Sequence, residues 1–315
     1  MSYLPPAEKL PLAVRKNVRD AWDQKKESLE KDLSEVCEVA WTVDIDPLAI
    51  YPYAESGSYA EKSLGSALKQ YVSGAIYELK RFKYNNGSAG IADMNTICYA
   101  RVLTLDAEVT GRLEYNGVDV IDGRLRLLFN PQKINNNIDD CLGSTKLEDA
   151  LNQAPLPEAW GSPLSFKAKS GIQTAYNKKI DKIKSDIGSI LQSDNTKLTP
   201  NFEENFVKLK EAKEKGIELV YDDWEKYLGP FTSGYFAAVG SSLRHQGFAG
   251  DEMLREGFAE AVPTGEIVFQ IVDELKNDDV SSESVIKDGV FYLQTTPQKW
   301  GRNIDSAAAK LIDLL

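Results

Sequence analysis

The stretch from Ile97 to Phe129 constrains the fold of this chain more than any other. From Leu103 one alternating phase is mainly apolar, running Leu103, Leu105, Ala107, Val109, Leu113 and Tyr115 with Gly111 between. The other phase, Thr104, Asp106, Glu108, Thr110, Arg112 and Glu114, is polar. A period of two belongs to a strand with one buried and one wet face. Asn116-Gly117 follows, a dipeptide suited to the positive φ values of a tight hairpin turn. The return carries Val118, Val120, Leu125, Leu127 and Phe129. Its apolar phase switches after Val120, which predicts a bulge at Ile121-Asp122-Gly123. The expectation is a long β-hairpin over 97–129.

Helical periods surround it. Val14, Val18, Trp22, Leu29, Leu33 and Val36 predict a helix from Pro11 to about Glu38. Val39, Trp41, Val43 and Ile45 predict a short strand stopped by Pro47. Leu64, Leu68, Val72, Ala75, Leu79 and Phe82 predict a second long helix, ended at Asn85-Asn86-Gly87. Residues 130–165 change character, with Asn135-Asn136-Asn137, Pro155, Pro157 and Pro163 and a short amphipathic piece at Leu147–Leu151. Beyond them, Ile172 to Ile190 and Phe202 to Leu228 repeat at helical spacing and predict a long antiparallel helical hairpin. Short helices are expected at Phe231–Leu243, Asp251–Val262 and Glu266–Leu275. A small hairpin is expected around Asp288-Gly289 and a closing helix over Ile304–Leu315. No repeat of 20–50 residues is visible.

The resulting expectation is an α+β fold, with N-terminal helices on a small antiparallel sheet and a mostly helical C-terminal half. The organisation reads as a flexible arm over 1–10, an α+β domain over 11–140, a connector over 141–165 and a mainly helical domain over 166–315.

Composition narrows the chemistry. The net charge of −11 repels phosphate backbones and anionic lipid heads, so nucleic acid is not an expected partner. Three cysteines, Cys37, Cys98 and Cys141, without a CxxC pair argue against a disulfide framework or a zinc site. Residues 1–12 lack the apolar core of a secretory signal, and no run of 18 apolar residues exists. The expectation is a cytoplasmic protein, with release without a signal left open.

The chain has one histidine, His245, in Ser241-Ser242-Leu243-Arg244-His245-Gln246. It could serve as a general base for a distant serine or Cys98. Without a GxSxG elbow, a helix end stabilised by the dipole is the simpler reading. HExxH, GxxxxGK[ST] and GxGxxG are absent. No cofactor and no metal are expected. Asp139-Asp140, Asp222-Asp223 and Asp278-Asp279 read as solvated charge. Asp44 and Asp46 lie close in sequence to Trp41, Tyr51 and Tyr53, so these five residues and His245 are the candidate ligand-binding set.

Three functions follow as expectations. The first is a non-enzymatic protein that binds a protein partner or itself through amphipathic helical and sheet surfaces. The second is a pore former that deploys hairpin 97–129, with Leu103, Leu105, Val109, Leu113, Leu125, Leu127 and Phe129 meeting lipid. The third is an enzyme with a carboxylate and tyrosine site assembled without a local motif. The first is preferred, because amphipathic surface is abundant and paired nucleophile and base chemistry is scarce.

Overall fold

The first helical pattern folds as α1 (Leu12–Val18), a π-helical turn (Arg19–Asp23) and α2 (Gln24–Cys37), closed by Glu38 in the left-handed region. Its apolar stripe is buried, with Trp22 2% and Leu33 0% exposed. Strand β1 (Thr42–Asp44) follows, then the short helices α3 (Pro47–Ile50) and α4 (Tyr59–Lys62). Pro47 does end the strand. It occupies the first turn of α3, where its missing N–H costs nothing. This computed structural model describes residues 3–138 and 141–315. The pair Asp139-Asp140 lies outside the described residues.

Helix α5 (Leu64–Ile97) has non-helical φ/ψ at Gly87 and then resumes. Gly87 therefore interrupts the helix without ending it, and Ile97 is its last residue rather than the start of a strand. Three strands follow, β2 (Val102–Ala107), β3 (Asn116–Ile121) and β4 (Arg124–Phe129), in a sheet ordered β1-β2-β4-β3.

This arrangement corrects the expected hairpin over 97–129. Strand β2 pairs with β4 in parallel, Leu103 opposite Leu125 and Leu105 opposite Leu127. The hairpin is β3–β4, and it turns at Asp122-Gly123 rather than at Asn116-Gly117. The sheet is mixed, not antiparallel. The strand ends early because the Glu108 carboxylate turns back on its own chain. It accepts N–H bonds from Thr110 (2.9 Å), Gly111 (3.0 Å) and Arg112 (3.0 Å) and the Thr110 hydroxyl. Val109 and Leu113 sit half-buried in that crossing segment. Leu103, Leu105, Leu125, Leu127 and Phe129, at most 3% exposed, face the core. Helix α6 (Ser144–Gln153) then packs on β3.

Residues Met1–Gly161 form one compact unit and Ser162–Leu315 a second. The second opens with α7 (Phe166–Gly171), a π-helical turn (Ile172–Tyr176) and α8 (Ile180–Leu191). Strand β5 (Lys197–Thr199) and α9 (Phe202–Glu214) come next. Then follow α10 (Trp224–His245), α11 (Glu252–Ala261), β6 (Glu266–Ile271), β7 (Ser282–Lys287) and β8 (Val290–Thr295). The long helical hairpin is not formed. Its second arm breaks between Glu214 and Trp224, where Gly216 takes φ +81, and α8 packs on α10. Residues 266–271 form a central strand rather than a helix. The segment over 304–315 makes 3-10 turns (Ile304–Ser306, Leu311–Leu314) rather than a closing helix. The hairpin at Asp288-Gly289 is present.

The second sheet is ordered β5-β6-β8-β7, with two parallel pairs and one antiparallel pair. The first sheet has the same strand order and the same pairing, and both units carry a π-helical turn in the leading helix. Leu64-Gly65 with Tyr71 is matched by Leu228-Gly229 with Tyr235. A Cβ on Gly65 would lie 2.6 Å from the Asn17 carbonyl oxygen. One on Gly229 would run into that of Gly171. Tyr71 and Tyr235 are both 0% exposed, and each hydroxyl accepts an N–H from beyond the last strand, from Asn135 (3.0 Å) and Gly301 (3.2 Å). The chain thus contains one topology twice.

Candidate functional site

The residues singled out in the sequence are mostly engaged in holding the fold. Trp41 is 2% exposed, and its indole N–H donates to Asn95 Oδ1 at 2.8 Å. Asp44, on the exposed face of β1, pairs with Arg124 at 3.2 Å. The Asp46 carboxylate caps α3 by accepting the Leu48 N–H at 2.9 Å. Tyr51 is half-buried. The Tyr53 ring meets Phe129 edge-on at 5.5 Å, and its hydroxyl accepts the Leu4 N–H at 2.8 Å. Tyr53 lines an open cleft of about 670 Å³ shared with Leu4, Pro52, Glu55 and Gln132.

His245 is the exposed last residue of α10 in the second unit, next to Arg244. Cys98 is sealed in the first unit, where burial pushes its thiol far up. Burial pushes the Cys37 thiol up as well, to about 12. Neither thiol is poised as a thiolate nucleophile. Among the described residues no cluster of three or more metal-binding side chains occurs, and no helix is long and apolar enough to cross a membrane.

A different surface of the first unit presents exposed aromatic side chains. Helix α5 buries Leu64, Leu68, Tyr71, Val72, Ala75 and Leu79. At the same helical spacing its opposite face presents Gln70, Ser73, Tyr77, Arg81 and Tyr84. Tyr77 is 63% and Tyr84 90% exposed. Gln70, Ser73 and Tyr77 form one wall of a cleft of about 810 Å³, and Asn135, Asn137 and Ile138 contribute the other.

That second wall is tied to the core. Asn135 N–H donates to the Tyr71 hydroxyl at 3.0 Å, and the buried Asn116 side chain donates to the Asn137 carbonyl at 2.9 Å. The Asn135 side-chain oxygen is buried with no hydrogen-bond partner among the described residues. Charge on the helix face is partly spent. Arg81 pairs with the buried Glu78 at 3.0 Å and Lys83 with Glu38 at 2.9 Å. What stays open is aromatic and amide surface, the kind that protein interfaces use. A signal for it was present in the sequence, because Tyr77 and Tyr84 are seven apart on the face away from the apolar stripe. Reading the helix only for its buried side passes over them.

Compared with protein-family models, with curated proteins and with solved structures, the chain matches none.

Proposed function

We propose that this protein works by docking, to a protein partner or to a second copy of itself, and that the α5 face of the first unit is a contact surface. One observation carries the reading. Tyr77 and Tyr84 stand 63% and 90% exposed on one helix face, beside a cleft with amide walls. Tyrosine provides large contact area with little side-chain freedom to lose, and a hydroxyl for polar contacts. Of the candidate ligand-binding residues, Trp41, Asp46 and Tyr53 already have structural partners.

The pore-forming alternative depended on a hairpin over 97–129. Its apolar residues in β2 and β4 line the first unit's own core in a parallel pair, so it is not carried forward.

Light scattering over rising concentration tests self-association, and a photo-crosslinking residue at position 77 or 84 tests for a partner in the source cell extract. The expected result is an association or a discrete adduct that Tyr77→Ser with Tyr84→Ser removes. A strict monomer that gives no adduct at either position overturns the proposal.

A further inference from the structure

The edge strands of the two sheets share a register but not their surroundings. In the second unit the turn Asp288-Gly289 has two residues, both at positive φ. The flanking pair Lys287 and Val290 is then a hydrogen-bonded pair, and bonding alternates from there. Glu283 and Val285 bond inward to β8, while Ser282, Ser284 and Ile286 point their backbone groups to the free side. An independent bond agrees. The Thr295 carbonyl accepts from Val272 N–H at 2.9 Å, on the side of β6, so its partner Ser282 faces outward.

In the first unit the matching residue is Asn116, which pairs with Phe129. It is 3% exposed, and its carbonyl accepts from Lys146 Nζ of α6 at 3.2 Å. The second unit makes 3-10 turns after β8; the one over Leu311–Leu314 touches β7, which stays half open over Ser282–Ile286. Among the described residues no hydrogen bond reaches the outward backbone of Ser282 or Ser284.

Beside this edge runs a groove of about 530 Å³, with Val280 and Ala307 supplying apolar surface and Asp279, Glu283 and Asp313 facing one cation, Lys310. The Glu283 carboxylate receives the Lys276 N–H at 3.1 Å. Asp279 and Asp313 are exposed and have no ion pair among the described residues.

We propose that the β7 edge of the second unit takes up a short extended peptide carrying lysine or arginine, as a fifth strand. An added strand would lie about 4.8 Å from β7 and bond to the open backbone, with its cations over Asp279 and Asp313. In the first unit the outward carbonyl of the edge strand is already met within the chain, by the Lys146 ammonium. A second copy of this chain fits less well, because a net charge of −11 and an acidic rim repel their own kind. The proposal rests on the docking reading and extends it to a separate surface and a defined class of partner.

The probe is a fluorescein-labelled, end-capped hexapeptide of alternating lysine and threonine, titrated into the full chain. Binding is expected, with exchange of the Ser282 and Ser284 amides slowing on addition while Glu283 and Val285 are already slow. Asp279→Lys with Asp313→Lys, both exposed, should weaken binding at least tenfold, and so should alternate N-methylation of the peptide backbone. The proposal is overturned by no binding at millimolar peptide, by equal binding of the methylated peptide, or by unchanged Ser282 and Ser284 exchange. A dimer closed through β7 overturns it too. Crosslinking at positions 77 and 84 reports on the first unit independently, so the two proposals can fail separately.

Discussion

The first unit closes the edge of its sheet with helix α6, and the second leaves the corresponding strand half open beside an acidic groove. Around that difference the two units keep the same constraints. Gly65 and Gly229 stand where α5 and α10 cross the leading helix of each unit, against its backbone. Tyr71 and Tyr235 receive the same kind of N–H bond. Asp122-Gly123 and Asp288-Gly289 make the same turn at positive φ. What is shared is what close backbone approach and buried polar groups demand. What differs is what covers the outside, where solvent tolerates many solutions.

The largest expected effect tests whether the shared crossing is a requirement. Gly229→Ala places a methyl into the Gly171 backbone, which cannot give as a side-chain end could. A loss of about 3 kcal/mol is expected, with Gly65→Ala somewhat milder. Urea unfolding followed by amide exchange, residue by residue, should show each change confined to its own unit. Loss of protection in both units from either change would break the comparison.

Glu108 sharpens it, because the second unit has Val272 at the matching place, each donating its N–H to the last residue of the final strand. Burial acts to raise the Glu108 carboxyl. The Thr110 hydroxyl and the N–H groups of Thr110, Arg112 and Gly111 outweigh it and hold the carboxyl below its ordinary range. A depressed folded value means stability that is present above the unfolded carboxylate value and lost as pH falls through the folded one. Glu108→Gln should cost the first unit about 2 kcal/mol at neutral pH and flatten its acid profile. The second unit's profile should not change. Thermal unfolding between neutral and acid pH checks this.

Tyr71→Phe and Tyr235→Phe should each cost about 1 kcal/mol, through an N–H left unpaired. Equal losses in denaturant titration support equivalent roles, and a loss at only one position would show that the resemblance is superficial. Asp44→Asn is the smallest test. Its pair with Arg124 has side chains 69% and 48% exposed, so the change should stay within about 0.5 kcal/mol by the same titration.

Several elements were legible in the sequence because their cause is local. The leading helix, the strand before Pro47, the helix that buries Leu64 to Phe82 and the turn at Asp288-Gly289 follow from period, proline and glycine, but Gly87 reads as the end of that helix and only interrupts it. The run from Leu103 to Tyr115 misled because alternation continues past Ala107, where Glu108 folds the chain back on itself. The candidate set around Asp44 followed proximity in sequence. Asp44 and Asp46 instead meet Arg124 and the α3 N-terminus, and Tyr53 lines a separate cleft. Period searches over 20–50 residues are too short for a unit of this size. A Leu-Gly pair with a tyrosine six residues past the glycine, an Asp-Gly turn, and Pro131-Gln132-Lys133 against Pro297-Gln298-Lys299 repeat plainly.

The order of residues by itself determined where several of the helices lie, which of their faces are apolar, and that the fold mixes helix with strand. Those depend on φ/ψ preference and on burial of side chains a few positions apart. Tertiary structure alone decided that β2 lies parallel to β4, that one topology occurs twice, and that one edge is covered while the other stays open. A strand's side-chain pattern states which face is buried but carries no label for its neighbour. Pairing is chosen only when distant segments compete for the same backbone hydrogen bonds.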